Sequence, residues 1–346
     1  MASLIDQLKT PEEDETVMNA AFILQDIMEQ KSFFQMLTKR SNLQKLYDIA
    51  FKSDSEINAH SSFTTQGLIA RFVQQFNDRQ KQSNDGDDRW DNSGDDDDII
   101  VNEMSDEENE DSKSGNNAAI VELLVSMVKP IMTILEEASD EPIQMQFSSG
   151  RILPLGGTKL RAVELLQSIV SLKNADVINA VRDSEVMKVV LGLVEKHPWN
   201  NMITLKIHQI FEDVLSCDLE NIHKVEFLKA SDVATSLVRM GLTPFVKLQS
   251  GNIVRNGFMG FVIKLANLIV KHRSQNDLDN CEGHADVFND EWEYFVSGEL
   301  ETSNERNKRN LGGRPTSTTS EDDETNQFDV NMDNIMKRFK CFNTIL

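Results

Sequence analysis

Cysteine is scarce in this 346-residue sequence, and Cys217, Cys281 and Cys341 stand too far apart for a disulfide scaffold or a four-cysteine zinc site. A reducing compartment fits that pattern. Basic residues are also short, 35 Lys and Arg against 57 Asp and Glu, for a net charge of -22. Such a chain is repelled at every phosphate of a nucleic acid or an anionic membrane surface, so neither is expected as a partner. Long apolar runs are missing: no eighteen consecutive apolar residues occur, and the start MASLIDQLKTPEEDE has no basic region followed by an apolar stretch. The expectation is a soluble intracellular protein, cytoplasmic with the nucleus as a further location. Period-two alternation between turn residues is nearly absent as well, so strands are not expected.

The constellations of an enzyme are lacking too. His60, His197, His208, His223, His272 and His284 include no pair four residues apart and no HExxH, and the cysteines never form CxxC. The glycines of LPLGGTKL do not have phosphate-loop spacing, those of GNIVRNGFMG do not match a dinucleotide fingerprint, and no serine sits in a GxSxG elbow. Turn glycine is the reading in both cases. No catalytic residue, cofactor or metal ligand is assigned, and the chain is not expected to be an enzyme.

What the sequence has in quantity is helix. Val17, Ala20, Ala21, Leu24, Ile27 and Met28 recur at helical spacing. So do Leu160, Val163, Leu166, Ile169 and Val170, then Ile203, Ile207, Ile210, Phe211, Val214 and Leu215, and again Phe258, Phe261, Val262, Leu265, Leu268 and Ile269. Ser41, Thr158 and the pair Asn256-Gly257 stand ahead of such runs as cap or turn signals. Many mid-length helices joined by short polar turns suit either a bundle or stacked helical hairpins. The favoured fold is all-α, an armadillo/HEAT-like helical-repeat solenoid, because such helices stack more readily than they close around one core.

Two segments interrupt the helices. Between Asn84 and Asp111 fourteen acids face one Arg, a local net of -13. Residues 79–117 are therefore expected to be a disordered acidic insertion, since they offer too little apolar surface to offset the entropy of ordering. The organisation expected is helical repeats over 1–78, the insertion over 79–117, helical repeats over 118–313, and a flexible tail over 314–346. In that tail Met332, Ile335, Met336 and Phe339 fall at helical spacing, fitting a short docking helix or a loose terminus. Ser93, Ser105 and Ser320 each have a carboxylate three residues downstream and are candidate phosphorylation sites, against the plain reading of serines in solvated acidic tracts.

Three stretches in order, HPWNNMI (197–203), VRNGFMGFVIKLAN (254–267) and EWEYFVSGELETSNERNKRNLGG (291–313), resemble the C-terminal part of the SAPS domain. That domain occurs in regulatory subunits of phosphatase-6-class serine/threonine phosphatases. LPLGGTKLRAVELLQSIV resembles the family's Pro-Leu-Gly segment and the helix after it. The sequence departs from the family at Ile203-Thr204, where a Leu-His pair is usual, and at Phe261, where His usually follows Met-Gly. The resemblance extends over about residues 1 to 313 and begins inside the family domain, so the family's N-terminal helices are expected to be missing. It implies a non-catalytic scaffold that binds a phosphatase-6-like catalytic subunit and, on another surface, ankyrin-repeat regulatory proteins. A generic armadillo-like adaptor is the alternative.

Within these stretches Trp199 and Trp292 are contact candidates, because tryptophan supplies much area when an interface buries it. Packing at a helix start is the favoured reading of Trp199. Asn200 and Asn201 are candidates for bonding a partner backbone, with one of them expected to cap the helix from Met202. Arg255 and Met259 complete the partner-binding set, and a lone Arg is more often solvated or weakly paired. Trp90, within the acidic segment, fits a short linear anchor or an exposed linker residue, and the second is the favoured reading.

Overall fold

The apolar stripes become the buried faces of helices. Ile203, Ile207, Ile210, Phe211, Val214 and Leu215 are all buried on one side of a helix from Asn201 to Ser216. Each such aliphatic or aromatic side chain contributes about 1.5–3 kcal/mol when removed from water. The computed structural model describes residues 1–9, 14–52, 59–84, 110–137, 145–147, 150–248 and 251–308.

In chain order the helices are α1 (Ala2–Asp6), α2 (Asp14–Met28), α3 (Lys31–Leu37), α4 (Arg40–Phe51), α5 (Ala59–Asn84) and α6 (Glu110–Glu136). After a short hairpin come α7 (Gly157–Val170), α8 (Ala175–Asp183), α9 (Val186–Lys196), α10 (Asn201–Ser216), α11 (Asn221–Ser231) and α12 (Val233–Gly241). A second hairpin leads to α13 (Met259–Gln275), α14 (His284–Val287), α15 (Asp290–Phe295) and α16 (Glu301–Lys308). Met1–Ser303 form one unit; the other, Asn304–Leu346, is described only as far as Lys308.

Within the first unit the helices stack in two rows. α2, α5, α7, α10 and α13 touch in succession along one row; α4, α6, α8 with α9, α11, α12 and α15 do so along the other. Pairs such as α4 with α5, α6 with α7, and α12 with α13 join the rows. Each helix thus packs on its neighbours, the arrangement of an all-α helical-repeat solenoid. The tight joints use left-handed residues: Lys173 (φ 55°) between α7 and α8, Glu185 (φ 57°) between α8 and α9, and Asp232 (φ 52°) between α11 and α12.

The structure differs from the sequence reading in three ways. β1 (Met145–Phe147) pairs antiparallel with β2 (Gly150–Ile152), and β3 (Phe245–Lys247) with β4 (Ile253–Arg255), although strands are not expected. Three residues are too few to show a period of two. The margins of the acidic segment are helical, because α5 continues to Asn84 and α6 begins at Glu110. Gln, Lys and Arg favour continuation of the first helix. Neither Ser41 nor Thr158 caps: Ser41 lies inside α4, and α7 starts at Gly157 after Gly156, without a side-chain cap. Ser93, Ser105, Ser320, Trp90, residues 85–109 and the tail 314–346 lie outside the described residues.

One stretch, Asn117–Glu136 of α6, is long and apolar enough to cross a membrane by length and composition. Here it packs against α4, α7, α8 and α9, with Ile120, Leu124, Met127, Val128, Ile131 and Leu135 buried.

Candidate docking edge

Three successive helices of one row, α7, α10 and α13, begin beside one another. The turn before α10 reaches the loop before α7 through His197, whose Nδ1 lies 2.9 Å from the Leu153 carbonyl oxygen. On its other side it meets the turn before α13. A Cβ on Gly257 would overlap the Pro198 carbonyl oxygen and lie 2.7 Å from Trp199 Cε3, so only glycine admits this approach. LPLGG, HPWNN and RNGFMG, far apart in sequence, therefore form one edge.

Asn200 shapes the middle of it. Its Oδ1 accepts from the backbone N–H groups of Met202 (3.1 Å) and Ile203 (3.2 Å), the N-cap arrangement expected from sequence. Asn201 is the exposed first residue of α10, and its carbonyl accepts from Thr204 Oγ1 at 2.9 Å. Replacing Asn200 by Ala is expected to cost about 1 kcal/mol, the usual value of such a cap. Asn200→Asp retains an acceptor and is expected to keep most of that stability; thermal unfolding of the two variants checks this.

Trp199 is 39% exposed, with Cε3 of its indole facing Gly257. It is both an anchor for the turn and a surface residue. Arg255, on β4, donates from Nη2 to Ser303 Oγ at 3.1 Å and is half-buried, so it is tied into the fold instead of solvated. Met259 and Trp292 are buried, at 1% and 0% exposure, and neither lies on the surface as partner contacts would. Met259 opens α13 with its side chain in the stack; Trp292 packs between Phe288 and Phe295, with ring centroids at 6.0 and 5.8 Å. Of the six candidates, Trp199, Asn200 and Asn201 lie at the surface of the edge, Arg255 and Met259 belong to its RNGFMG stretch but are half-buried and buried, and Trp292 is buried apart from it on α15.

Other surface residues of this region escape sequence reading. Met202 and Leu205 follow Trp199 on α10, and Phe245 and Ile253 stand on the β3–β4 hairpin, all exposed. Asn256 joins hairpin to edge, its N–H donating to the Pro244 carbonyl at 2.7 Å. For Met202 and Leu205 a signal existed: both fall outside the buried stripe of α10. Of the departures from the family pattern, Ile203 and Phe261 are buried and Thr204 is half-buried. Farther along α10, burial lowers the pKa of His208, Glu212 opposes that, and Lys264 adds to the lowering. Among the described residues no three His, Cys, Asp or Glu side chains gather as a metal site would require.

Comparison with known proteins bears on this edge directly. Residues 180–309 match the SAPS family. Its description is SIT4 phosphatase-associated protein. The matched segment starts within α8 and includes Trp199, Asn200, Asn201, Gly257 and Trp292, so the resemblance drawn from HPWNN and RNGFMG holds where those motifs lie. Serine/threonine-protein phosphatase 6 regulatory subunit 1 of Mus musculus is 27% identical over 207 residues, which are 55% of this chain and 24% of that protein. The Homo sapiens counterpart is 26% identical over 208 residues, 55% of this chain and 23% of its own. Regulatory subunit 3 of Gallus gallus is 20% identical over 229 residues, 60% of this chain and 26% of its own. The chain thus spans about a quarter of the length of these relatives.

Proposed function

We propose that this chain is a non-catalytic regulatory or scaffolding subunit that binds a phosphatase-6-like serine/threonine phosphatase catalytic subunit and directs its substrate choice or location. The observation that carries this reading is the SAPS match over residues 180–309, because those residues build the edge at Trp199 and Gly257. The names of the relatives support it: they are phosphatase 6 regulatory subunits from mouse, human and chicken. A two-row solenoid suits the role, since its long exposed rows hold a partner without any chemistry of their own. Ankyrin-repeat proteins on a second surface, and work in the cytoplasm and nucleus, belong to the same reading.

Affinity capture with the intact chain tests it. The expected result is enrichment of a phosphatase-6-class catalytic subunit, with phosphatase activity in the captured material that disappears when that subunit is removed. Capture of other proteins without it would favour the generic adaptor.

A further inference from the structure

In a chain of net charge -22, residues 233–276 contain no Asp or Glu and carry Arg239, Lys247, Arg255, Lys264, Lys271 and Arg273. Residues 197–211, which form the turn at Trp199 and most of α10, have no acid either and add Lys206. These two stretches supply α10, the β3–β4 hairpin, the Gly257 turn and α13. The acid deficit is therefore gathered on adjoining elements of the fold.

Some of these cations are neutralised within the molecule: Arg239 pairs with Glu195, and Arg273 with Asp279 and Glu293. Lys206, Lys247 and Lys264 enter no ion pair among the described residues. Apolar surface accompanies them. In the β3–β4 register Phe245 opposes Arg255, and Lys247 opposes Ile253. Directly opposed residues of a hairpin share a face, as do alternate residues of one strand. Phe245, Lys247, Ile253 and Arg255 thus share a face on which Phe245 is 58% and Ile253 72% exposed. From β4 the chain passes through Asn256 to Gly257 and the exposed ring of Trp199, and Met202 and Leu205 continue the apolar surface on α10.

Apolar groups flanked by unpaired cations, within an acidic protein, fit one kind of occupant. We infer that the hairpin and the Trp199 edge form a docking surface for an acidic polypeptide segment of a partner protein, one whose carboxylates flank apolar anchors. The anchors cover Phe245, Ile253 and Trp199, while the carboxylates meet the exposed Lys247 on the hairpin face and Lys264 on α13. This chemistry goes beyond the phosphatase reading and does not depend on which protein supplies the segment.

The test uses the full chain and a fluorescent synthetic peptide of about twelve residues, with Leu and Phe among Glu and Asp. One control peptide has Lys for each acid; another has Ser for each apolar residue. Fluorescence anisotropy is expected to show binding of the acidic peptide, weakened about tenfold or more between roughly 0.05 and 0.5 M salt. Lys247→Glu and Ile253→Ser, both at exposed positions, are each expected to weaken it about tenfold with unchanged melting. Equal binding of the Lys peptide, or unchanged affinity in both variants, overturns the assignment. Trp90→Ser with Ile99→Ser addresses a rival occupant. If that change alone tightens peptide binding about tenfold, the chain's own acidic segment holds the surface and the partner assignment falls. Phosphatase capture by wild-type chain, measured separately, shows which of the two proposals fails.

Discussion

Gly257→Ala is expected to lower stability by about 3 kcal/mol, at the upper end of what overpacking costs. The reason is the identity of the neighbour. A Cβ at 257 meets the backbone carbonyl of Pro198 first and the Trp199 ring at 2.7 Å second. A side chain can turn aside; a carbonyl held in a turn between α9 and α10 moves only with the turn. The variant must push apart the starts of α10 and α13, two helices that pack along one row. Roughly 2–4 °C of melting temperature per kcal/mol then gives a drop of about 6–12 °C. Gly260→Ala is the matched control, three residues on inside α13, where a Cβ meets nothing within 4 Å. That change is expected to be neutral or to stabilise by about 0.5–1 kcal/mol through helix propensity. Equal melting of Gly257→Ala and wild type would show that the approach is not a constraint, and the edge would lose its structural basis.

Most of the helices were legible because a helix leaves a long record. The stripe of α10 repeats over four turns, and all six apolar residues read from the sequence are buried, with Asp213 buried beside them as the one member that the apolar pattern does not show. The boundaries were less legible, since a cap is a single residue whose role depends on where the chain turns. Asn200 caps as its type and place suggest, whereas Ser41 and Thr158 have the right chemistry one position inside a helix. Three-residue strands left no readable period at all. The hairpin at Phe245–Arg255 is positioned by tertiary neighbours, among them Ser303, forty-eight residues after Arg255.

The edge was half legible for a related reason. HPWNN and RNGFMG stand out as motifs, but nothing in either shows that Gly257 lies under Trp199, a contact across fifty-eight residues. Residue type alone does not fix exposure. Met259 and Trp292 have the size and chemistry of interface anchors, yet those properties also suit a core, and both are buried. Phe245 and Ile253 carry no sequence signal because a short hairpin gives no pattern from which to subtract an exposed residue. What sequence alone does carry, without geometry, is the absence of acids over residues 233–276.

The two described tryptophans are expected to separate stability from binding. Trp292 is 0% exposed, flanked by Phe288 and Phe295, on the helix that α12 packs against. Gly241, the last residue of α12, lies so close to Phe295 that an added Cβ would overlap the ring, so this corner has no slack to collapse into a void. Trp292→Ala is therefore expected to cost about 3–5 kcal/mol, the range for deleting a buried aromatic. Trp292→Phe keeps a ring in place and dispenses with the indole N–H, which has no acceptor among the described residues, so its cost is expected to fall well below that of Ala. Trp199 keeps 39% of its surface open and loses only the contact with Gly257 and the turn, for about 1 kcal/mol in Trp199→Ala. Its larger effect is expected in partner capture, weakened about tenfold or more at near-normal melting, as for a solvent-facing anchor. Denaturant unfolding beside capture decides the matter. If Trp199→Ala destabilises as much as Trp292→Ala, and capture falls only in proportion to the unfolded fraction, Trp199 is a core anchor and the docking edge has no aromatic contact.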